Sequence, residues 1–489
     1  MQNRCQDVEV NQHHNAALAV PRGREVVPHL SSRTENAKLL GSLAGLERTR
    51  PMNILRRRFL LMSASAFAMS RPVLAAVPSD LDVAVICAGM AGLAAAQRLR
   101  AGGLRVAVLE ARTRIGGRAF TEHQSFGVPF DHGCAWTHAD AANPIVEIAD
   151  DLGFRRILDA NQSRLFDKNG QMPETANLRL DAAYGRLQAM IEEVGHANRD
   201  TSLLEAYSHS GAIERLARET VAHFQFGVEP DDVSTKDAFN RIPVGNLYLL
   251  PRGFGNLVRG FGTGIDVSLS TPVRNVDWHA DVVRLRTPNG VVRARAALTT
   301  ASTGVLAGGG IRFTPELPVW KQEAFATLPM GTMNKIAIQY RRGTIDAPPG
   351  TWLLGRGAGN RIVRFQVDPF DGGLVVGHVG GAAAGILESE GALASIDWAR
   401  RELRKLFGSR VEGGFRRARV TQWASDPWAR GSFAAARPGS GRMRQVLGLP
   451  VGGKIYFAGE ALHPVWAGQL AGEYLSGRSA AKQIIRDFG

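Results

Sequence analysis

From Asp82 the chain reads Asp-Val-Ala-Val-Ile, a short apolar block of strand length. A turn from Cys87 to Gly92 leads into a helical run, Leu93 to Arg100, which Ala101-Gly102-Gly103-Leu104 closes. Arg105 to Leu109 forms a second short strand, and Glu110 ends it. Strand, turn, helix and strand in this order predict a βαβ unit. Between 139 and 225, apolar positions recur every three or four residues, so this stretch reads as mainly helical. Between 265 and 300, alternation predicts strands, with a hairpin at Pro288-Asn289-Gly290. Gly472 to Arg486 returns to helical spacing. The chain therefore reads as α/β, with no internal repeat.

The first 51 residues are polar and irregular, and the character changes at Met52. Arg56-Arg57-Arg58-Phe59-Leu60-Leu61 precedes a weakly apolar run, and Val73-Leu74-Ala75 offers small residues for cleavage. This Arg-Arg-x-Phe-Leu pattern resembles the twin-arginine export signal of bacteria, which carries folded proteins. The resemblance implies that residues 1–75 are an extension plus signal and that the mature protein is periplasmic or secreted. Met52 is an alternative start. The apolar run is about half of the roughly 20 residues a spanning helix needs. Gly373 to Leu387 is Gly-rich and interrupted by His378, so no membrane anchor is expected in the mature form.

Composition narrows the classes. Hydrophobic residues make up 44% and charged residues 21%, an ordinary globular balance. The formal charge is +14, but residues 1–76 hold 11 basic and 5 acidic side chains of that total. The remainder is modestly basic, without a dense basic run interleaved with aromatics, so no nucleic-acid partner is expected. Three cysteines, Cys5, Cys87 and Cys134, exclude a disulfide scaffold and any C-x-x-C site. No metal-ligand cluster stands out among the 12 histidines.

The βαβ unit carries a dinucleotide fingerprint in Cys87-Ala88-Gly89-Met90-Ala91-Gly92, with Glu110 eighteen positions after Gly92. Gly89 lets the backbone approach a pyrophosphate, Gly92 lets the helix pack on the strand, and the helix N-terminus favours phosphate. Glu110 can accept hydrogen bonds from ribose hydroxyls. The first fingerprint glycine is replaced by Cys87, which is expected to weaken binding or to mark a decayed site. Directly afterwards, Glu110-Ala111-Arg112 and Gly116-Gly117-Arg118 add a second backbone approach and a charged clamp.

This second run resembles the phosphate motif of the flavin-containing amine oxidase superfamily. The resemblance continues in Asp131-His132-Gly133-Cys134-Ala135-Trp136-Thr137-His138 and in Asn143-Pro144. Further on it includes Leu328 to Ile338, Trp423 with Asp426-Pro427 and Gly431-Ser432-Phe433, Ile455 to Glu460, and Trp466 to Gly472. It implies a Rossmann-like FAD-binding domain (76–138, 246–304 and 414–489) interleaved with an α+β substrate domain (139–245 and 305–413). It implies non-covalent FAD, because Ser432 stands where monoamine oxidases of the animal type carry a flavin-linking Cys. The implied cofactor contacts are residues 87–92, Glu110, Ala111, Arg112, Gly116, Gly117, Arg118, Gly133, Val273, Trp423, Gly459, Glu460, Gln469 and Leu470.

The resemblance also implies the chemistry: oxidation of an amine C–N bond by hydride transfer to flavin N5, giving an imine that hydrolyses. Electrons would return to O2, giving H2O2, or to a periplasmic electron carrier. Lys335 matches the family's active-site lysine. Trp136, His138, Phe433, Trp466 and Gln469 match its substrate pocket, and His463 is a further candidate donor there. Phe433 and Gln469 occupy the places of two cage tyrosines, so half of that cage is missing. Phe120 stands where amino-acid oxidases carry a carboxylate-binding arginine, which argues against amino acids. A homodimer is possible. Two alternatives stay open: a flavin-dependent C–C desaturase of an apolar substrate, and a non-catalytic flavin-fold protein with an impaired FAD site.

Overall fold

The computed structural model describes residues 81–138, 142–159, 162–167, 169–241 and 246–489. The basic-apolar signal-like segment and both candidate starts lie outside the described residues.

Leu81–Ile86 is a strand and Met90–Ala101 a helix, followed by the strand Val106–Leu109. Val83, Ala84 and Val85 are fully buried, as befits a strand covered on both faces. The strand pairs in parallel with Val106–Leu109 on one side and Gly290–Thr299 on the other. Val267–Ser268 extends the sheet beyond Val106–Leu109. Gly290–Thr299 pairs first with Val283–Thr287 and then, farther along, with Ile455–Phe457. The hairpin expected at Pro288-Asn289-Gly290 is present, with Thr287 facing Gly290 across the turn. Asn275–Asp277 and Arg312–Thr314 complete this eight-stranded sheet.

The helix Leu470–Phe488 packs on Met90–Ala101 at close range. A methyl group on Gly477 would come within 2.2 Å of the Ala91 carbonyl, so this crossing requires glycine. The contact brings the two helix starts together below the sheet's carboxyl edge.

A second, seven-stranded sheet runs Phe415–Val420, Met333–Tyr340, Leu374–Gly380, Ile362–Val367, Trp352–Arg356, Ser163–Asp167 and Gly170–Gln171. Its core includes Ile336, Ile338, Phe365 and Val379, with Trp398 and Leu403 of the helix Ala392–Phe407 packed on it. Both sheets lie in one compact unit of the chain.

Two strands link segments that lie far apart in sequence. Arg312–Thr314 belongs to the first sheet, paired with Asn275–Asp277, and Phe415–Val420 belongs to the second, paired with Met333–Tyr340. The stretch 139–225 is mainly helical, as expected, but three short strands interrupt it. Pro144–Asp151, Thr175–His196 and Ala212–Val221 are helices, but Ile157–Asp159, Ser163–Asp167 and Gly170–Gln171 are strands. Leu165 and Phe166 are both buried although adjacent. A strand covered on both faces lacks the alternation that would distinguish it from a helix. No helix among the described residues is long and apolar enough to cross a membrane.

Candidate functional site

A cleft open to solvent lies at the carboxyl edge of the first sheet. Nine residues expected to bind the cofactor line it: Cys87, Gly89, Ala91, Glu110, Ala111, Arg112, Gly117, Arg118 and Val273. Thr300, Ser302, Trp428 and Glu473 also line it and were not singled out as cofactor contacts.

The turn after the first strand is built for close approach. A methyl group on Gly92 would fall 2.0 Å from the Cys87 carbonyl oxygen. Gly117 has a φ of +57° and its methyl position lies 3.5 Å from the Gly89 Cα, so the two phosphate-loop glycines face each other. Cys87 itself holds a φ of +82°. Left-handed backbone is normally left to glycine. The chain has therefore kept the glycine geometry while replacing the residue. Burial pushes the Cys87 thiol far up, so it stays protonated.

Glu110 is buried, and its two carboxylate oxygens accept from the Ala88 and Arg112 amides at 2.7 and 2.8 Å. It thus locks the first phosphate loop to the second. The Gly116 amide donates to the Ala88 carbonyl at 2.8 Å and repeats the link. Arg112 pairs with Asp426 at 2.9 Å, which ties the loop to the Trp423–Phe433 stretch.

Arg118 stands where the segments converge. Its guanidinium donates to the Ser432 carbonyl at 2.8 Å and to Glu460 at 2.9 Å, and reaches Glu473 at 3.4 Å. Burial works against its charge, but Glu460 and Glu473 outweigh that and hold its pKa above the usual value. Gly459 and Glu460 line a smaller cavity adjoining Arg118. Glu460 also accepts from the Ala434 and Gly468 amides. Gln469 caps the helix Leu470–Phe488 through its backbone, and Leu470 begins that helix.

The second sheet delivers Lys335 to this region. Lys335 lies on Met333–Tyr340, is 2% exposed, and donates through Nζ to the carbonyls of Asp131 and Gly133, each at 2.7 Å. Burial lowers its pKa to about 8 despite the opposing pull of Asp131. Gly133 fits tightly: a methyl there would meet the Arg118 carbonyl at 2.0 Å and the Trp423 ring at 3.3 Å. Lysine, Gly133 loop and arginine clamp are thus consecutive neighbours.

The aromatic candidates fall into separate groups. Trp136 lies 5.2 Å from the Lys335 ammonium and packs against Trp352 and His378. Its indole donates to one oxygen of Asp159 at 3.1 Å, while the Trp352 indole donates to the other at 3.0 Å. His378 faces Lys335 across the strand pair; its Nε2 has no hydrogen-bond partner, and burial holds its pKa well below the usual range. Trp466 packs instead near His138, with ring centroids 6.2 Å apart. Phe433 lies against Gly468, which has a φ of +74°. His463 accepts the Val465 and Trp466 amides through Nδ1, which fixes it as the support of that turn.

Asp159, Trp352 and His378 were not found from sequence as site residues. Trp352 and His378 lie far along the chain from Trp136, and Asp159 carries no motif of its own, so only the fold brings the three together. Met90 and Ala88 are fully buried, so they contribute backbone to the loop rather than side chains. Among the described residues no group of three or more metal-ligating side chains occurs.

Residues 90–485 match the family model for flavin containing amine oxidoreductase. Lysine-specific histone demethylase 1B of Mus musculus is 25% identical over 442 residues, covering 82% of this chain and 52% of that protein. The chain thus spans about half the length of the histone demethylases it matches. Polyamine oxidase 4 of Oryza sativa subsp. japonica is 27% identical over 457 residues, covering 84% of this chain and 91% of its own. Among solved structures, wild-type putrescine oxidase bound to putrescine superposes with a TM-score of 0.70 at 20% identity, over 84% of this chain and 100% of that one. Cyclohexylamine oxidase from Brevibacterium oxydans gives 0.69 at 22% identity, over 84% and 99%. With the family model matching most of the chain, including most of the cleft, the Lys335 strand and most of the final helix, the chain belongs to the flavin-containing amine oxidoreductases, a family whose cofactor is FAD.

Proposed function

We propose that this protein oxidises a small amine with FAD held non-covalently in the cleft. One observation carries the reading: the amino group of Lys335, brought from the second sheet, is anchored to the Gly133 loop that packs on Arg118. Gly89, Gly117 and Arg118 would hold the pyrophosphate, Glu110 and Val273 the adenosine end, and Glu460, Gln469 and Leu470 the ribityl side. FAD supplies a two-electron acceptor for the hydride on the carbon beside the amine nitrogen.

The chain's own groups prepare that step. Trp136, Trp352 and His378 form an aromatic wall next to Lys335, a setting that would favour a neutral amine over its ammonium form. The buried Lys335 charge adds to that preference by repelling a second cation. Its N–H donors fix the Asp131 and Gly133 carbonyls, and the same ammonium is placed to orient a water. The product imine hydrolyses to a carbonyl compound plus amine or ammonia. Reoxidation by O2 gives H2O2; a carrier protein is the other acceptor. Non-covalent binding is supported at Ser432, whose hydroxyl is taken up by the Met333 backbone and offers no thiol for a flavin link.

Similarity to a putrescine oxidase, a polyamine oxidase and a cyclohexylamine oxidase directs the substrate search to di- and polyamines and cyclic amines. The test is an assay of H2O2 and carbonyl product with those amines, monoamines and amino acids. Product from one amine class supports the reading; product from none, with FAD bound, opposes it. The basic-apolar segment before Ala76 supports export through the twin-arginine route. Periplasmic appearance of a fused reporter that is lost on Arg56→Lys/Arg57→Lys/Arg58→Lys would test that.

A further inference from the structure

The helix Met90–Ala101 begins without an anion of its own. Gly89 occupies its cap position with no side-chain hydrogen bond, and its first turn carries no acidic residue. A helix start of this kind attracts negative charge through free N–H groups and the helix dipole. The helix Leu470–Phe488 starts beside it, and its one first-turn acid is Glu473. The Glu473 carboxylate is turned onto the other helix. Its Oε2 lies 3.7 Å from the methyl position of Gly89, the amides of Met90 and Ala91 face it, and Arg118 lies 3.4 Å away. Glu473 also lines the cleft, together with Gly89, Ala91, Gly117 and Arg118. These groups are the donors and the cation that the phosphate motif presents to a dinucleotide.

We propose that Glu473 is a resident anion in the pyrophosphate place, which FAD loading neutralises by protonation, so that loading is coupled to proton uptake. The inference rests on the reading of this cleft as the FAD site. Two anions cannot share one set of donors without cost, and a neutral carboxyl leaves the helix start and Arg118 to the phosphates. The charged and titratable groups around Glu473 reinforce this. Arg118, from the phosphate loop, favours its charged form, whereas Glu460, from the segment after Ile455–Phe457, opposes it. Cys87 and Cys134, from the two glycine loops, also feel its charge and stay protonated. Burial and Glu460 outweigh Arg118 and hold the carboxyl above the usual carboxylate range. Adding pyrophosphate raises it further, and this is the origin of the proton uptake.

A structural role for Glu473, holding Arg118 and the two helix starts in place, predicts the opposite sign on mutation. The experiment is FAD titration of the full chain stripped of flavin, followed by flavin fluorescence and calorimetry, for wild type, Glu473→Gln and Glu473→Ala. The wild type should bind FAD more tightly as pH falls from about 8 to about 6, by at most about tenfold per pH unit for one proton. Calorimetry in buffers of different ionisation enthalpy should show net proton uptake. Both variants should bind FAD at least about tenfold more tightly at pH 8 and lose most of the pH dependence. Weaker binding by both variants, or no proton uptake by the wild type, overturns the proposal. Tight, pH-insensitive FAD that amines still reduce would sink this inference alone and leave amine oxidation standing. Proton-linked FAD that no amine reduces would do the reverse. If neither wild type nor variants take up FAD, Glu473 is not the obstacle, and both readings fall.

Discussion

The amino nitrogen of Lys335 sits 2.7 Å from the carbonyl oxygen of Gly133, and that contact ties a strand of the seven-stranded sheet to a loop of the cofactor cleft. Lys335 belongs to a strand of the second sheet, whereas Gly133 closes a loop whose backbone rests on Arg118 in the cofactor cleft. A shift of that strand is thereby transmitted to the phosphate clamp. Replacing Lys335 with Met removes two hydrogen bonds from a charged donor and leaves two carbonyls unpaired. Flavin reduction or reoxidation should slow by well over tenfold while the bound-flavin spectrum persists. Stopped-flow kinetics with the best amine would measure this, and unchanged rates would remove Lys335 from the mechanism.

The same lysine has a signature in stability. Its pKa falls from 10.5 to about 8 on folding. Between those values the unfolded chain binds more protons than the folded one, so this group makes stability rise with pH across the window. Below about pH 8 both states hold the proton and the burial penalty is complete. Lys335→Met lacks the titration. The stability of wild type relative to Lys335→Met should therefore increase from pH 8 toward 10, as denaturant unfolding at several pH values would reveal. A constant difference would show that the lysine is not buried as a charge.

Cys87 pays for its left-handed backbone. A non-glycine residue in that region costs about 1–2 kcal/mol, while glycine loses about 0.5–1 kcal/mol through its freer unfolded state. Cys87→Gly should thus stabilise the protein by up to about 1 kcal/mol, and Cys87→Val should destabilise it by about 1–3 kcal/mol. Denaturant midpoints give the comparison. A destabilised glycine variant would mean that the thiol makes packing contacts worth more than the strain.

Glu110 links the Ala88 and Arg112 amides from a buried position. Glu110→Ala leaves both amides without that partner, at about 1–3 kcal/mol for each buried donor. FAD affinity should fall along with stability, because the two phosphate loops lose their common anchor. Fluorescence titration with FAD checks the first part and thermal unfolding the second. Retention of both would place the loop geometry under other control.

Much of the cleft was legible in the sequence because phosphate binding constrains contiguous backbone. Gly92 follows from the fingerprint spacing, and the Cys87 carbonyl blocks a side chain there; at Gly117 the constraint is its φ of +57° rather than a close neighbour. Cys87 was readable as a departure, but its φ of +82° was not, because the surrounding strand and helix impose it. Asp159 was invisible for a different reason. Its role arises when Trp136 and Trp352, more than two hundred residues apart in sequence, meet at one carboxylate. Glu473 was hidden in a helical run, and only the crossing at Gly477 turns it onto the N-terminus of the first helix. The strand Phe415–Val420 was not read from the sequence, and its pairing with Met333–Tyr340 emerges only in the fold.

The central claim is that the cleft holds FAD and that an amine reduces it. The direct measurement is the absorption spectrum of the purified protein, reconstituted with FAD, before and after anaerobic addition of amines. The panel contains monoamines, diamines and polyamines, cyclic amines and amino acids. The account predicts a bound-flavin spectrum that bleaches with one class of amine and recovers on admitting an electron acceptor. A bound flavin that stays oxidised with every amine, or a protein that takes up no FAD, would contradict it.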